Sequence, residues 1–485
     1  MYKRPYRKAA AFALVMLMTF MTFMLTGCGK SYEYIFGDVG WLSSVSSSDA
    51  EQKLIKDTFY YSDGWFEDNP SSENKELALA SIQLVASCVN DSADNPGEAF
   101  LKSMGFEEVG YSDFGSSDPD DCNYTWGRRS AGDTTLVAVV IQSVNNGWEQ
   151  KNKAWKQNFT VNEPGNTDPS GVHYAYAKAV DKVADDIASL AGDGEATFWI
   201  TGQSRGGAIA NVLAASLSDK LNGSKIFAYT FEAPATVDSE AAGDYKFIHN
   251  YVCSDDIVTH IPLWGMTRYG VTHELKTKET DNGLDDALLA LGSDAAGMKA
   301  RIVTDDVVAR LAENLEAKVP SRAEYSAEKT DSWTDADGVS HELTYSCQEA
   351  LVRLMDLVFR DDSSGSLFEQ LASRRGDLEA SIAYLADGVT KEHSGKDPAA
   401  DYWEASRGLY AALSAAGGEL PISEEDLYKV VRIAAPVLIS IPEDGGEPDT
   451  ELLTDVIGYT RELTYSHLFD TIIARLKVLA PAPEK

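Results

Sequence analysis

The sequence predicts an α/β protein: a mostly parallel sheet with helices on its faces and a large helical insertion toward the C-terminal end. Three observations lead there. Apolar runs at Ala196–Ile200, Ile226–Phe231 and Phe247–Cys253 are each preceded by helix or turn signals, and strands alternating with helices form parallel sheets covered on both faces. Between the first run and the small apolar stretch Ala208–Ala215 lies Thr201-Gly202-Gln203-Ser204-Arg205-Gly206-Gly207, a sharp glycine-rich turn from strand into helix. From about Lys276 to Arg461 the chain becomes rich in Ala, Leu, Glu and Asp, with helical faces such as Val307, Val308, Leu311, Leu315 and Val319, and nothing there reads as a good strand.

Taken in order, Lys3, Arg4, Arg7 and Lys8 make a basic start and Ala9 to Leu25 an apolar run, so residues 1–27 read as a lipoprotein signal peptide. The run ends in Leu25-Thr26-Gly27-Cys28, which resembles a bacterial lipobox; the resemblance implies cleavage before Cys28 and a diacylglycerol on its thiol. A plain transmembrane anchor is the other reading, and either places the body outside the cytoplasm, tethered to a membrane. Residues 28–72 are polar and serine-rich and read as a tether, 73–275 as the α/β core, 276–460 as a helical insertion or cap, and 461–485 as a helix returning to the core with a tail. Within the core, Leu77, Leu79, Ile82, Leu84 and Val85 follow a helical pattern, and Asp113 to Asp121 is a turn-rich loop. Cys122–Gly127 and Thr134–Ile141 read as a hairpin joined through Ala131-Gly132-Asp133, and His173 to Leu190 as an amphipathic helix. Polar loops are expected within the insertion at Asp331–Gly338 and Glu443–Asp449.

Charge and cysteine usage exclude some function classes. Across 485 residues, 42 lysines and arginines face 76 acidic residues, a net charge of -34. Phosphate binding needs a positive surface, so nucleic acid is not an expected partner, and adhesion to anionic lipid by charge is not expected either. After Cys28, the cysteines are Cys88, Cys122, Cys253 and Cys347, with no Cys-x-x-Cys pair and no histidine at metal spacing, so no zinc site and no cofactor is expected. A Cys88–Cys122 disulfide is permitted by the compartment but not demanded by spacing.

The turn around Ser204 carries the chemistry. Strand, Gly-x-Ser-x-Gly, then helix is the context of a nucleophile elbow, in which the serine takes a strained backbone and its neighbours must lack side chains. A serine hydroxyl needs a histidine base, and the base needs a carboxylate to hold its tautomer. In α/β-hydrolases these follow in the order serine, acid, histidine. Asp256, just past the run that ends at Cys253, is the candidate acid, with Asp255 as its rival.

These segments together resemble the fungal-type triacylglycerol lipases, class 3, and especially their bacterial lipoprotein-like relatives, over about Leu136 to Pro262. Val172-His173 is similar to the Val-His pair opening the helix before the elbow. Tyr229-Thr230-Phe231-Glu232-Ala233-Pro234 is similar to the family's Thr-Phe-Gly-Ala-Pro strand end, and Asp256-Ile257-Val258 with Ile261-Pro262 to its acid loop. Three departures stand out: Gln203 where histidine is usual, Arg205 where leucine is common, and Gln142-Ser143-Val144 in place of Arg-Gly-Thr or Arg-Gly-Ser. Backbone N–H groups of Arg205 and Val144, with Ser143 as alternative to Val144, are the expected oxyanion donors.

For the base, the resemblance points to His467 in Tyr465-Ser466-His467, which opens the last helix after the long insertion; His273 is its rival, ahead of His173, His249, His260, His341 and His393. The implied protein is a membrane-anchored serine hydrolase of carboxylic esters, with lipid or acylglycerol esters as substrate class. Trp148, Trp155 and Phe159 either line a flap over the site or simply pack against the sheet. The alternative function is a hydrolase-fold surface lipoprotein that has lost catalysis and binds a ligand or partner.

Overall fold

The computed structural model describes residues 30–37, 54–88, 96–112, 122–131, 134–142, 148–163, 170–192, 194–221, 223–261, 265–292, 301–318, 321–358, 378–417, 420–442, 446–458 and 466–480. The targeting segment, Cys28, Ser143 and Val144 lie outside these residues. Among the described residues no helix is long and apolar enough to cross a membrane.

In chain order the strands are β1 Lys30–Gly37, β2 Leu54–Tyr61, β3 Glu108–Ser112, β4 Tyr124–Ala131, β5 Thr134–Ile141, β6 Ala196–Gln203, β7 Lys225–Phe231, β8 Val237–Asp238, β9 Ile248–Cys253, β10 Met266–Thr267, β11 Val271–Leu275, β12 Lys329–Thr334 and β13 Ser340–Tyr345. Seven of them form the central sheet in the order β11-β9-β7-β6-β5-β4-β3. From β5 to β11 every neighbour is parallel, and β4 and β3 close the far edge antiparallel. The expected α/β architecture is thus the observed one. β6 sits at its centre with all eight residues buried, so it reads as a continuous apolar run rather than an alternating one.

The parallel strands are laid down one after another across the sheet, and right-handed crossovers made always in one direction deliver their helices to one face. On that face Tyr174–Ser189 and Arg205–Lys220 pack through Val183, Ile187, Ile209 and Leu213 onto Phe198 and Ile200. The other face receives no helix from those two crossovers. It is covered by Lys75–Cys88 from the N-terminal side, by Thr277–Ala290, and by the last helix, Phe469–Leu479, whose Ile472 and Ile473 share a core with Leu84 and Trp199.

That second face corrects the expectation of a tether over residues 28–72. β1 and β2 pair as an antiparallel hairpin, and Phe59, Tyr61, Trp65 and Phe66 are buried in the core of the second face. Tyr61 stacks on Trp199 at 6.1 Å between ring centroids, and Phe66 meets Phe227 edge-on at 5.4 Å. The physical reason is the uncovered face: large aromatic side chains, each burying about 150–250 Å², supply much of the cover at this end of the sheet. The serine-rich stretch before them dominates the composition and hides them.

The insertion needs a second correction. It is helical at Arg301–Lys318, Cys347–Val358, Glu379–His393, Ala399–Gly417, Glu424–Leu438 and Glu451–Gly458. It also contains a hairpin, β12 with β13, where no strand was expected and where Asp331–Gly338 was read as a loop. β12 buries only Trp333, against Tyr428 and Trp403, so five of its six residues stay wholly or partly accessible and the run lacks an apolar signature. Asp335 forms the turn, its carboxylate accepting from the N–H groups of Asp337 and Val339.

Candidate active site

Ser204 stands between β6 and the helix Arg205–Lys220 with φ 59° and ψ -132°; Glu232 is the other non-glycine residue at positive φ among those described. The turn is held at both ends: Ser204 N–H donates to Phe231 O at 2.9 Å, and Ala208 N–H donates to Ser204 O at 3.0 Å. Its glycines are required by space. A Cβ on Gly202 would lie 2.4 Å from Gly206 O, and one on Gly206 would lie 2.6 Å from Ile141 O. The second of these approaches brings the end of β5, through Ile141 and Gln142, alongside the elbow.

Asp256 follows β9 and caps the short 3-10 turn Ile257–His260. One carboxylate oxygen accepts Val258 N–H at 2.9 Å, and the other is 2.7 Å from His467 Nδ1. Asp256 is fully buried and His467 nearly so. Burial opposes the Asp256 charge, but His467 and the hydrogen bonds it accepts outweigh that and hold its carboxyl below the usual aspartate range. The Gln203 side chain, one residue before Ser204, donates to His467 O at 3.0 Å. The elbow therefore grips the backbone of the histidine that the acid grips by its ring.

Asp255, the rival acid, has a different set of partners. It accepts from Ser466 Oγ at 2.6 Å and is forked by Arg475 at 2.9 and 3.1 Å, with Arg475 wholly buried. The adjacent residues Asp255 and Asp256 thus seize the adjacent residues Ser466 and His467. This double clasp ties the loop after β9 to the start of the last helix.

The other histidines lie elsewhere. His273, on β11, is 3.0 Å from His249 Nδ1 and 3.5 Å from Glu73, while His249 Nε2 sits 3.0 Å from Pro70 O. His173 precedes its helix, stacked on Tyr176 at 3.9 Å, and burial pushes its ring down to about 3, so it is neutral. His341 pairs with Asp335 in the insertion, His260 ends the turn after Asp256, and His393 ends the helix Glu379–His393. Trp155 and Phe159 neither lie on the sheet nor stand free. They pack with Val258 and Ile261 of the acid loop and with Met355 of the insertion, while Asn152 donates to Asp356 at 3.0 Å. The side chain of Trp148 is outside the described residues. Cys88, Cys122, Cys253 and Cys347 are all buried free thiols. Among the described residues no group of His, Cys, Asp and Glu is disposed to hold a metal ion.

Four contributors escaped the sequence reading: Gln203, Ser466, Arg475 and Glu232. Gln203 looked like a departure from the family pattern, yet an amide can donate to a carbonyl as a neutral histidine can. The tandem Asp255-Asp256 set against Ser466-His467 was the signal available for the clasp. Chemically, the assembly presents a serine on a strained turn, a histidine with a fixed Nδ1 partner, and a helix N-terminus directly after the serine.

Residues 134–266 match the family model described as Lipase (class 3). The chain is similar to the solved structure of the Rhizomucor miehei triacylglyceride lipase at 18% identity, over 43% of this chain and 83% of that one, with a TM-score of 0.31. It is similar also to the M37 lipase, at 14% identity over 50% and 81% with a TM-score of 0.29. For the lipase from Rhizopus microsporus var. chinensis the values are 19% identity, 42% and 75%, and 0.28. No curated protein matches the chain. The segment that carries the elbow and the acid loop is therefore similar to the class 3 lipases, and that likeness supports a carboxylic ester hydrolase of the lipase type.

Proposed function

We propose that the protein is a membrane-anchored lipase that cleaves lipid or acylglycerol esters through an acyl-enzyme on Ser204. Ser204 Oγ attacks the ester carbonyl while His467 Nε2 takes its proton, and Asp256 holds the Nδ1–H and stabilises the imidazolium. His467 then protonates the departing alcohol, and water repeats the sequence to release the acid. Backbone N–H groups of Arg205 and Val144 receive the oxyanion. The observation that carries this reading is the 2.7 Å contact of Asp256 with His467, together with the bond from Gln203, the neighbour of Ser204, to the backbone of that same histidine. The insertion meets the acid loop through Met355, which suits a cap that shapes the acyl site. Anchoring is assigned to a diacylglycerol on Cys28, which leaves the catalytic body on the extracytoplasmic face of a cell membrane.

Intact-mass measurement after exposure to a fluorophosphonate tests the triad. One adduct is expected on the unmodified chain, none on Ser204→Ala, a sharp loss with His467→Ala and little change with His273→Ala. Absence of an adduct on the folded chain, or loss with His273→Ala instead, overturns the assignment. Cys28→Ala should release the protein from the membrane fraction when it is expressed in a lipid-modifying bacterium.

A further inference from the structure

Glu232 is a buried carboxyl at this site to which the proposed mechanism gives no task. It follows the last residue of β7, and its backbone sits at φ 46°. In the Thr-Phe-Gly-Ala-Pro pattern this position is glycine, which takes that angle freely; a glutamate there is held against its local preference. Its side chain is wholly buried beside Asp256, with both carboxyl oxygens 3.0 Å from Cys253 N. Two carboxyl groups buried side by side cannot both hold a charge cheaply, and since a carboxylate only accepts, they can bond each other only where one keeps its proton.

The surroundings decide which one carries it. Asp256 already accepts from Val258 N–H and faces His467 Nδ1, and both contacts favour its charge. Glu232 has one N–H to share between two oxygens. The cations that face it are committed elsewhere: Arg268 donates to Ala233 O at 2.6 Å and to Thr259 O, and Arg475 is forked onto Asp255. The Cys253 thiol, also facing it, is buried and neutral. Burial first, and the neighbouring Asp256 charge second, push the Glu232 carboxyl well above the usual glutamate range.

We propose that Glu232 is a positioning residue that stays protonated and donates its O–H to Asp256, so that the acid of the site is a carboxyl–carboxylate pair carrying one negative charge. The donated bond fixes the plane of the Asp256 carboxylate with one oxygen toward His467, and draws charge away from that oxygen. The kinetic consequence rests on the triad proposed above; the proton on Glu232 does not.

The full-length chain is compared with Glu232→Gln and Glu232→Gly. Glutamine copies the protonated acid, its N–H to Asp256 and its carbonyl to Cys253 N–H. Glycine relieves the backbone and removes the donor. Glu232→Gln should retain at least about a third of kcat, while Glu232→Gly falls about tenfold or more at unchanged KM. In Glu232→Gly the acid limb of kcat/KM should also move to higher pH, because a carboxylate freed of its donor holds a proton on its partner imidazole more strongly. Equivalent losses in the two variants overturn the proposal. Unfolding equilibria give a readout that needs no catalysis. With a raised folded pKa, the native state keeps a proton that the unfolded chain releases. Above the ordinary glutamate range the unmodified chain should therefore lose stability relative to Glu232→Gln, by up to about tenfold in the unfolding constant per pH unit. Parallel pH profiles of stability would mean that Glu232 is ionised and the proposal wrong. If the slope is present but ester cleavage is not, the proton assignment holds and the catalytic reading fails.

Discussion

Two arginines show how differently the core and the insertion use charge. In the insertion, Arg432 bonds Asp331 at 2.9 Å and Glu392 at 3.1 Å, Tyr345 and Tyr428 share the same Asp331 oxygen, and the arginine side chain keeps 15% of its surface in contact with solvent. In the core, Arg475 forks Asp255 with the two side chains 0% and 1% exposed. The first cluster staples a hairpin to two helices at the edge of water. The second is dry, and it sets the residue beside the proposed base. Backbone strain divides the same way: Ser204 and Glu232, the described non-glycine residues at positive φ, are both in the core, and the insertion has none among its described residues. Strain that persists has to be held by its surroundings, and here the hydrogen bonds of Ser204 to Phe231 and of Glu232 to Cys253 and Tyr251 hold it.

The strongest attempt to break the contrast is to remove chemistry from the core without touching its packing. Ser204→Ala should lower kcat by about 10⁴–10⁶-fold with little change in thermal unfolding, measured on a soluble ester. Asp256→Asn should cost about 10⁴-fold, since an amide leaves the imidazole in the wrong tautomer. The Asp256 substitution should also change acid stability in a definite direction. A folded pKa held below the ordinary value gives stability that is present above about pH 4 and lost as the pH falls through the lower folded value, so Asp256→Asn should remove that part of the acid-unfolding slope. An unchanged acid limb of stability would mean that the carboxylate gains nothing from its partners.

Arg475→Met comes next in size. It strands Asp255 in a dry site, and breaking one side of a buried pair costs about 3–5 kcal/mol. Arg432→Met, at the wetter cluster, should cost less, about 1–3 kcal/mol, because water can reach the abandoned Asp331 and Glu392 carboxylates. Denaturant titrations of the two variants measure the difference directly. Equal losses would show that the insertion's cluster is as dry as the core's and would erase the distinction.

The same division governs what the sequence could disclose. The elbow was legible because its glycines are forced by contacts as close as 2.4 Å, and such a constraint leaves a local pattern. The parallel sheet was legible because strands buried on both faces must be apolar throughout. The clasp of Asp255 and Asp256 on Ser466 and His467 spans 211 residues, so its two halves look like ordinary polar pairs until the fold joins them. Tyr61 and Phe66 were hidden for a related reason: their partners Trp199 and Phe227 are far along the chain, and the local composition around them is that of a linker. β12 was missed because one covered face and a single buried tryptophan do not make a period that a short window can register.

The smallest effect is the sharpest check that the insertion folds by local rules. Ser423 opens the helix Glu424–Leu438 with a complete capping box: its hydroxyl accepts Asp426 N–H at 3.1 Å, and the Asp426 carboxylate accepts Ser423 N–H at 3.4 Å. Replacing a serine cap by alanine costs about 1 kcal/mol. That helix also carries Tyr428 and Arg432, so fraying of its first turn should loosen the Asp331 cluster before anything else. Ser423→Ala should therefore lower hydrogen-exchange protection in Glu424–Leu438 and around β12 while leaving kcat with a soluble ester unaltered. A fall in kcat beyond about twofold, a loss of about 0.4 kcal/mol from the barrier, would show that the stability of the insertion is transmitted through Met355 and Trp155 to the acid loop. The two regions would then be one mechanical unit rather than a strained site with a relaxed cover.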